Sequence, residues 1–264
     1  MNEAGIVAIG PWQLGLTLLF VLFAGATSLA HGLKLERDLA IGTVRTFAQL
    51  FLMGYVLQLI FSFPMALLIV AVFAAMIFFA AQIVRDRVKE RQIKFFFPTL
   101  ASMLVGYFAV TLLVTGVVVQ ADPWWQPQYF IPMAGMVVGN SMTACAISID
   151  RLLGDLRKSR NEVEMMLCLG ADYREASLEI TRQALYAGMI PSINSLMAVG
   201  LVFIPGMMTG QILAGADPLV AIRYQIVVMV MIVGATGLGT LLLIHLVRRR
   251  CFGAAQQLLL RPRK

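Results

Sequence analysis

The sequence predicts an all-α membrane protein: one domain over residues 1–264, built as a polytopic bundle of about seven transmembrane helices. Three observations predict it. Of 264 residues, 59% are hydrophobic and only 13% are charged, whereas a soluble domain carries about 25% charged residues. The apolar residues form runs of the ~20 residues that a spanning helix needs. The basic residues lie between these runs, nearly all on one predicted side of the membrane.

The apolar runs divide into seven predicted crossings. They lie between Glu3 and Lys34, and from about Asp38 to Phe61, Pro64 to Val84, Phe96 to Val119, Tyr129 to Ile149, Gln183 to Ile204 and Leu219 to Val247. Pro64 separates the second crossing from the third, because proline starts helices well and interrupts them badly. The first run has no basic residue before it, so we interpret it as a retained helix rather than a cleaved signal peptide.

The positive charge predicts the orientation. If the N-terminus is outside, the inner segments are 31–37, 85–94, 150–182 and 248–264, which hold 2, 5, 6 and 6 of the 21 Lys and Arg residues. Short inner loops of membrane proteins carry such an excess. We therefore expect an N-out, C-in membrane protein. The net charge of +7 then indicates lipid as the neighbour and not nucleic acid.

The uncharged run 183–216 leaves two interpretations open. It could hold two short helices, but the charge bias favours one crossing that ends near Ile204. The string from Pro205 to Gly210 then breaks the helix, either as a re-entrant turn or as a plain outer end. Broken backbone at membrane depth survives only where protein or water covers it. Pro205, Met207 and Met208 are therefore candidate pathway residues, although ordinary packing also explains the two methionines.

Other polar residues within the predicted crossings are also pathway candidates. Arg45 lies inside the second crossing, where charges are costly and usually functional, but it could instead have a structural role and pair with Glu36 or Asp38. The remaining candidates belong to two polar clusters in the fifth and sixth crossings, namely Asn140, Ser141, Ser192 and Asn194. The clusters could face each other, or could be the ordinary polar contacts of membrane helices. Neither a carboxylate pair nor a His/Cys cluster lies within the crossings, so the metal ligands stay unknown.

The inner segment at about 150–184 predicts a helix, a glycine and a second helix. Gly170 suits a helix stop, because glycine tolerates the left-handed conformation after the last turn. Asp172 and Glu175 have the spacing of a capping box. Such a segment could dock a cytosolic partner, or lie as an amphipathic helix on anionic lipid.

The spacing of three residues in this segment resembles the EAA loop of ABC-transporter permeases. Glu164, Gly170 and Ile180 stand at the intervals of that motif. The chain departs from the motif at its two alanines, which are Met165 and Met166 here, and at the terminal Leu-Pro. The resemblance extends to strings that begin at Gly139, Leu169, Ile190, Val199, Pro205, Ala214 and Ala221. Together these strings resemble the FetB-like permease family, which includes plant aluminium-sensitivity permeases.

This resemblance implies a permease subunit of an ABC transporter, linked to iron export in bacteria and to aluminium tolerance in plants. With it we expect an integral protein of a bacterial inner membrane. It also implies a homodimer and a separate ATP-binding cassette ATPase, docked through Glu164, Gly170, Ala171, Asp172 and Ile180. The chain itself has no Gly-x-x-x-x-Gly-Lys-Ser/Thr phosphate loop. We therefore expect no enzymatic activity and no cofactor in this chain, with ATP on the partner. The alternative is a secondary transporter driven by an ion gradient, which would need paired intramembrane acids or internal repeats.

Overall fold

The computed structural model describes residues 9–63, 65–88, 90 and 92–261, and most of them are helical. Extended pairing within those residues is limited to two isolated bridges, Val199 with Phe203 and Phe252 with Leu258. The predicted all-α fold is therefore confirmed. Pro64, which separates the second and third predicted crossings, lies outside the described residues, as does Glu3.

Ten α-helices follow one another along the described chain. They are α1 Pro11–Ala30, α2 Glu36–Ser62, α3 Ala66–Arg87, α4 Phe96–Leu113, α5 Pro127–Lys158, α6 Arg160–Cys168, α7 Tyr173–Ala176, α8 Leu178–Ala198, α9 Gly206–Leu213 and α10 Pro218–Cys251. A π-helical turn, Val114–Val118, extends α4. Within the described ranges, six helices are long and apolar enough to cross a membrane, namely α1 to α5 and α10. A polytopic helical membrane bundle is therefore confirmed.

The predicted sixth crossing corresponds to α8, which has the length of a spanning helix but a more polar composition. Its first turns contact the end of α10, where Arg248 Nη1 donates to Thr181 Oγ1 (3.4 Å). Its middle contacts the middle of α10, through Ser192 Oγ and Thr236 Oγ1 (3.3 Å). α8 thus runs antiparallel to α10, and its 21 residues are about 31 Å long at helical rise. That length is close to the thickness of a bilayer core and favours a crossing.

One helix continues past its predicted crossing, and one predicted boundary is wrong. α5 extends beyond Ile149, the predicted end of the fifth crossing, as a single helix to Lys158. Leu152, Leu153 and Leu156 in this extension are buried, so neighbouring elements stabilise it beyond the predicted crossing. The sixth crossing ends at Ala198 rather than Ile204, since Gly200 has a φ of 83° and its N–H bonds to Phe203 O (3.0 Å) in a tight turn.

The core of the bundle is centred on α5, which packs against α3, α4, α8 and α10. Two glycines allow close helix contact. A Cβ on Gly188 would lie 1.8 Å from Ser148 Oγ, and a Cβ on Gly239 would lie 2.4 Å from a ring carbon of Tyr107. Small residues at such positions let membrane helices approach closely. They hold α8 against α5 and α10 against α4.

The C-terminal tail, residues 252–261, folds back on the end of the bundle that carries most of the basic residues, which we call the basic end. Leu260 is buried, and its carbonyl accepts from Arg160 Nη1 (2.7 Å). Arg157 pairs with Glu90 in the α3–α4 loop and donates from Nε to Arg261 O (3.1 Å). The tail thereby connects the α5 extension with the α3–α4 loop.

Candidate functional site

Within the predicted coupling segment, α6, α7 and the turn between them form a short arm at the basic end of the bundle. α6 ends in a Schellman motif, in which Ala171 N donates to Met166 O (3.1 Å) and Gly170 N to Leu167 O (3.1 Å). Gly170 has a φ of 97°, which a side chain would strain. The predicted glycine stop is therefore confirmed.

The next turn of the arm is capped by Asp172. Its Oδ1 accepts from Arg174 N and Glu175 N (2.7 Å each), and Glu175 Oε2 accepts from Asp172 N (3.0 Å). This is the predicted capping box. The Tyr173 hydroxyl accepts from Arg174 Nε (3.2 Å), and this bond raises the pKa of Arg174. Tyr173 N also donates to Gln256 Oε1 of the tail (2.9 Å), which ties the turn to the basic end.

Apolar side chains surround the turn of the arm and face outward. Leu169 is 81% exposed, and Met165 and Met166 are also exposed. In contrast, Val163 is buried, and Ile180 packs against the core. Glu164 accepts from Arg160 Nε (2.8 Å) on the preceding turn. The arm therefore presents an apolar patch while its opposite face is anchored to the bundle.

Towards the end of the bundle opposite the basic end, a cleft of about 480 Å³ opens between α5, α8, α10 and the turn after α8. Its polar lining consists of amide and hydroxyl side chains, namely Asn140, Thr143, Ser192, Ser195 and Gln225. Met136, Met229 and Pro205 contribute to its apolar walls. A smaller cavity of about 330 Å³ adjoins it and is lined by Met208, Met229, Pro205 and Gln225 among others.

Gln225 contributes to both cavities and is 5% exposed. Its Oε1 is buried and has no hydrogen-bond partner within the described structure. A buried polar atom without a partner is costly. The position of Gln225 between two cavities therefore indicates a ligand-facing group.

On the side of the cleft nearer the basic end, a cluster of buried hydroxyls joins three helices. Thr236 of α10 lies 3.0 Å from Ser141 of α5 and 3.3 Å from Ser192 of α8, measured between hydroxyl oxygens. The two predicted polar clusters do face each other, and Thr236 connects them. Thr240 donates to Thr236 O (2.6 Å) in the next turn. Because Ser192 belongs to both, the cluster forms the edge of the cleft nearer the basic end.

The structure gathers some of the predicted pathway residues and separates others. Asn140, Ser192 and Pro205 line the cleft, and Met208 lines the adjoining cavity. Ser141 lies in the hydroxyl cluster, whereas Met207 packs against the core. Asn194 is exposed and lies outside both linings.

Arg45 is exposed on α2 and does not line either cavity. The suggested pairing with Glu36 or Asp38 is absent from the described chain. Instead, Glu36 accepts from Ser28 Oγ (2.9 Å). Arg45 therefore lies apart from the cleft within the described chain, and its place on a pathway stays a prediction.

The sequence prediction missed two residues of the site, Gln225 and Thr236. Each is a polar residue in the uncharged run of α10, and a polar residue among apolar neighbours was the sequence feature that could have indicated a role. It could not show that both face other helices, because α10 is apolar on every side. The contacts of the C-terminal tail had no sequence signal at all.

Comparison with known proteins shows the family. The profile described as Uncharacterised protein family (UPF0014) matches residues 11–252. The chain belongs to this family. Over 94% of both chains, it is 37% identical to UPF0014 membrane protein slr1647 of Synechocystis. No solved structure matches the chain.

Two further relatives correspond to the resemblance noted in the sequence. The Probable iron export permease protein FetB of Escherichia coli is 34% identical over 93% of both chains. Protein ALUMINUM SENSITIVE 3 of Arabidopsis thaliana is 36% identical over 91% of this chain and 87% of its own length. The predicted membership in the FetB-like family is therefore confirmed.

Proposed function

We propose that this protein is the membrane-spanning subunit of an ABC transporter that exports metal ions, with iron as the cargo. In this proposal two copies form a homodimer in a bacterial inner membrane, and a separate ATPase binds ATP. The basic end faces the cytoplasm, where an ATPase would reach it. The name of the Escherichia coli relative, a probable iron export permease, supports iron as the cargo.

The observation that carries the proposal is the exposed apolar patch formed by Met165, Met166 and Leu169 on the arm. The arm follows a helix extension that leaves the predicted membrane span at the basic end. An exposed apolar patch in that position is typical of a protein-docking surface. The patch coincides with the Glu164–Gly170–Ile180 spacing of permease coupling loops.

In this proposal, the arm transmits force from the ATPase into the bundle, because it is connected to the bundle on both sides. On one side, α6 is joined to the C-terminal tail through Arg160 and Leu260 (2.7 Å). On the other, α7 is followed directly by α8, whose Ser192 lines the cleft. A push on the patch would therefore act on a helix that forms a wall of the candidate pathway. This arrangement is what a motor-driven permease needs.

A docking experiment tests the partner. The variant Leu169→Glu places a charge in the centre of the patch, and we expect co-purification with a tagged ATPase from the same organism to fall by at least about tenfold, as for a central interface residue. The matched control is Leu201→Glu, which changes an equally accessible leucine (91% exposed) at the opposite end. Undiminished co-purification of the Leu169 variant, or equal losses for both variants, would contradict docking through the arm.

A second experiment tests the cargo and the energy source. Cells that lack the protein should accumulate iron above the complemented strain, measured by mass spectrometry of washed cells. An ATPase-inactive partner should reproduce the defect. Export that persists without any ATPase but stops when the proton gradient collapses would favour the alternative, a secondary transporter.

A further inference from the structure

The cleft lacks the groups that a bare multivalent metal ion requires. Its lining among the described residues contains amides, hydroxyls, thioethers and apolar groups, but no carboxylate, cysteine or histidine. Fe²⁺ and Fe³⁺ carry at least two charges, and the desolvation cost of such an ion in a low-dielectric site is large unless anionic ligands offset it. Neutral oxygens alone suit ions of lower charge, held by closely spaced carbonyl rings.

A second copy of the chain would not supply the missing charge. The carboxylates of the spanning helices described in the structure lie in terminal turns, as with Glu36 and Asp86, or in the last part of α5 towards the basic end, as with Asp150. α8 and α10 carry theirs outside the cleft, at Glu179 and at Asp217, the N-cap of α10. Among the described residues, a pathway formed by two such bundles would therefore contain no carboxylate at the depth of the cleft.

The size of the cleft indicates a molecule rather than an ion. A volume of about 480 Å³ falls within the range of sites for small organic ligands, roughly 300–1,000 Å³. The mixture of apolar walls and a few polar groups is also typical of such sites. Gln225 lines this cleft, and its buried Oε1, which has no partner in the described structure, is an acceptor that a donor group on a ligand could satisfy.

We propose that the cleft binds metal as an uncharged complex with small organic ligands, and that Gln225 Oε1 accepts a hydrogen bond from that complex. The inference rests on the proposed function of metal export and specifies the chemical form of the cargo. Anionic oxygens on the ligands neutralise the metal, so the protein supplies no carboxylate. Asn140 and Ser192 offer further polar contacts, and Met136 and Met229 contact the apolar parts of the complex.

Direct binding to the full chain in lipid nanodiscs, without any ATPase, tests the proposal. The probes are radioactive iron as the neutral iron(III) tris(acetohydroxamate), the same complex made with N-methylacetohydroxamate, and bare iron(II) under anaerobic conditions. The first two complexes are both uncharged and differ in whether the ligand carries an N–H donor. We expect the N–H complex to bind best, the N-methyl complex about tenfold more weakly, and bare iron(II) only at background level.

Variants test whether Gln225 causes the preference for the N–H complex. Gln225→Leu should weaken the N–H complex about tenfold and abolish its advantage over the N-methyl complex. Gln58→Leu, the same change on the exposed face of α2, should change neither the affinity for the N–H complex nor its advantage over the N-methyl complex. Gln225→Glu adds a carboxylate and should create binding of bare iron(II).

The proposal is overturned if bare iron(II) binds to the unaltered protein more tightly than the neutral complexes, if neither complex binds, or if Gln225→Leu binds both complexes as the unaltered protein does. These results do not depend on an ATPase. Loss of docking with intact binding would therefore contradict the ABC assignment alone, whereas intact docking with failed binding would contradict the cleft alone.

Discussion

Helices α2 and α5 are equally apolar in their best membrane-length windows, yet they lie in different environments. In those windows, 6% of the residues of α2 and 56% of those of α5 are buried inside the bundle. α1, which forms a hairpin with α2, is likewise 6% buried. Lipid is as apolar as leucine, so hydropathy does not determine whether a helix faces lipid or protein. The difference between hairpin and core lies in small and polar residues.

The polar groups of the two regions show this difference directly. In the hairpin, Thr43 and Thr46 donate to carbonyls one turn earlier in their own helix. In the core, Ser141, Thr236 and Ser192 bond across three helices. Internal bonds let a hydroxyl enter the membrane, whereas bonds between helices specify which faces meet. The core is therefore the specified part of the bundle, and the hairpin is connected to it loosely.

The largest expected contrast between core and hairpin comes from matched leucines. Leu152 of α5 is fully buried (0% exposed), whereas Leu52 of α2 is 64% exposed. Leu152→Ala should lower the free energy of unfolding by about 2–5 kcal/mol, because it leaves a cavity. Leu52→Ala should change it by less than about 0.5 kcal/mol. SDS titration of the purified protein in mixed micelles measures both, and equal losses would show that the hairpin is packed against protein.

A smaller contrast is expected from matched glycines. Gly188→Ala places a Cβ against Ser148 Oγ and Ala144 O, so we expect a loss of about 1–3 kcal/mol from overpacking of α8 on α5. Gly42→Ala in α2 meets open space and should be neutral or stabilising, since alanine favours helix. The same titration distinguishes them. A neutral Gly188→Ala would mean that α8 can move away from α5 without cost.

The smallest contrast concerns the hydroxyls. Thr236→Val removes the bonds to Ser141 and Ser192 and should cost about 0.6–1.7 kcal/mol, from the average to the largest value measured for single bonds between membrane helices. Thr43→Val removes only a bond within α2 and should cost close to nothing. Thermal unfolding followed by a thiol-reactive dye offers one measure, with both variants in the same detergent. If Thr43→Val proved the more harmful, the hydroxyl cluster would not be the element that joins the three helices.

Much of the fold could be predicted because it depends on local properties of the chain. Apolar runs set the helices, and Gly170 with Asp172 and Glu175 set the turn in the coupling arm. These features need only neighbouring residues, so the sequence contains all the information for them. The sequence did not show that α5 continues past Ile149 as one helix, because Leu152 and Leu156, in a charged stretch, are stabilised by distant parts of the chain.

The candidate site was predicted less completely. Asn140, Ser192 and Pro205 were selected as polar or helix-breaking residues in apolar runs, and they do line one cleft. Asn194 and Arg45 were selected by the same criterion and lie elsewhere. A rotation of about 100° per residue separates Ser192 from Asn194 on opposite sides of α8, and a run without apolar periodicity does not reveal which side faces protein.

The sequence by itself determined that this chain is a membrane protein, where its helices lie, and which end carries the positive charge, because each depends on transfer of residues between water and lipid. The tertiary structure alone decided that α5, α8 and α10 enclose the cleft, that Gln225 lies between two cavities, and that the C-terminal tail joins the basic end. Those features depend on close contacts between residues far apart in sequence. In lipid such contacts are selected by shape and hydrogen bonding, which hydropathy does not encode.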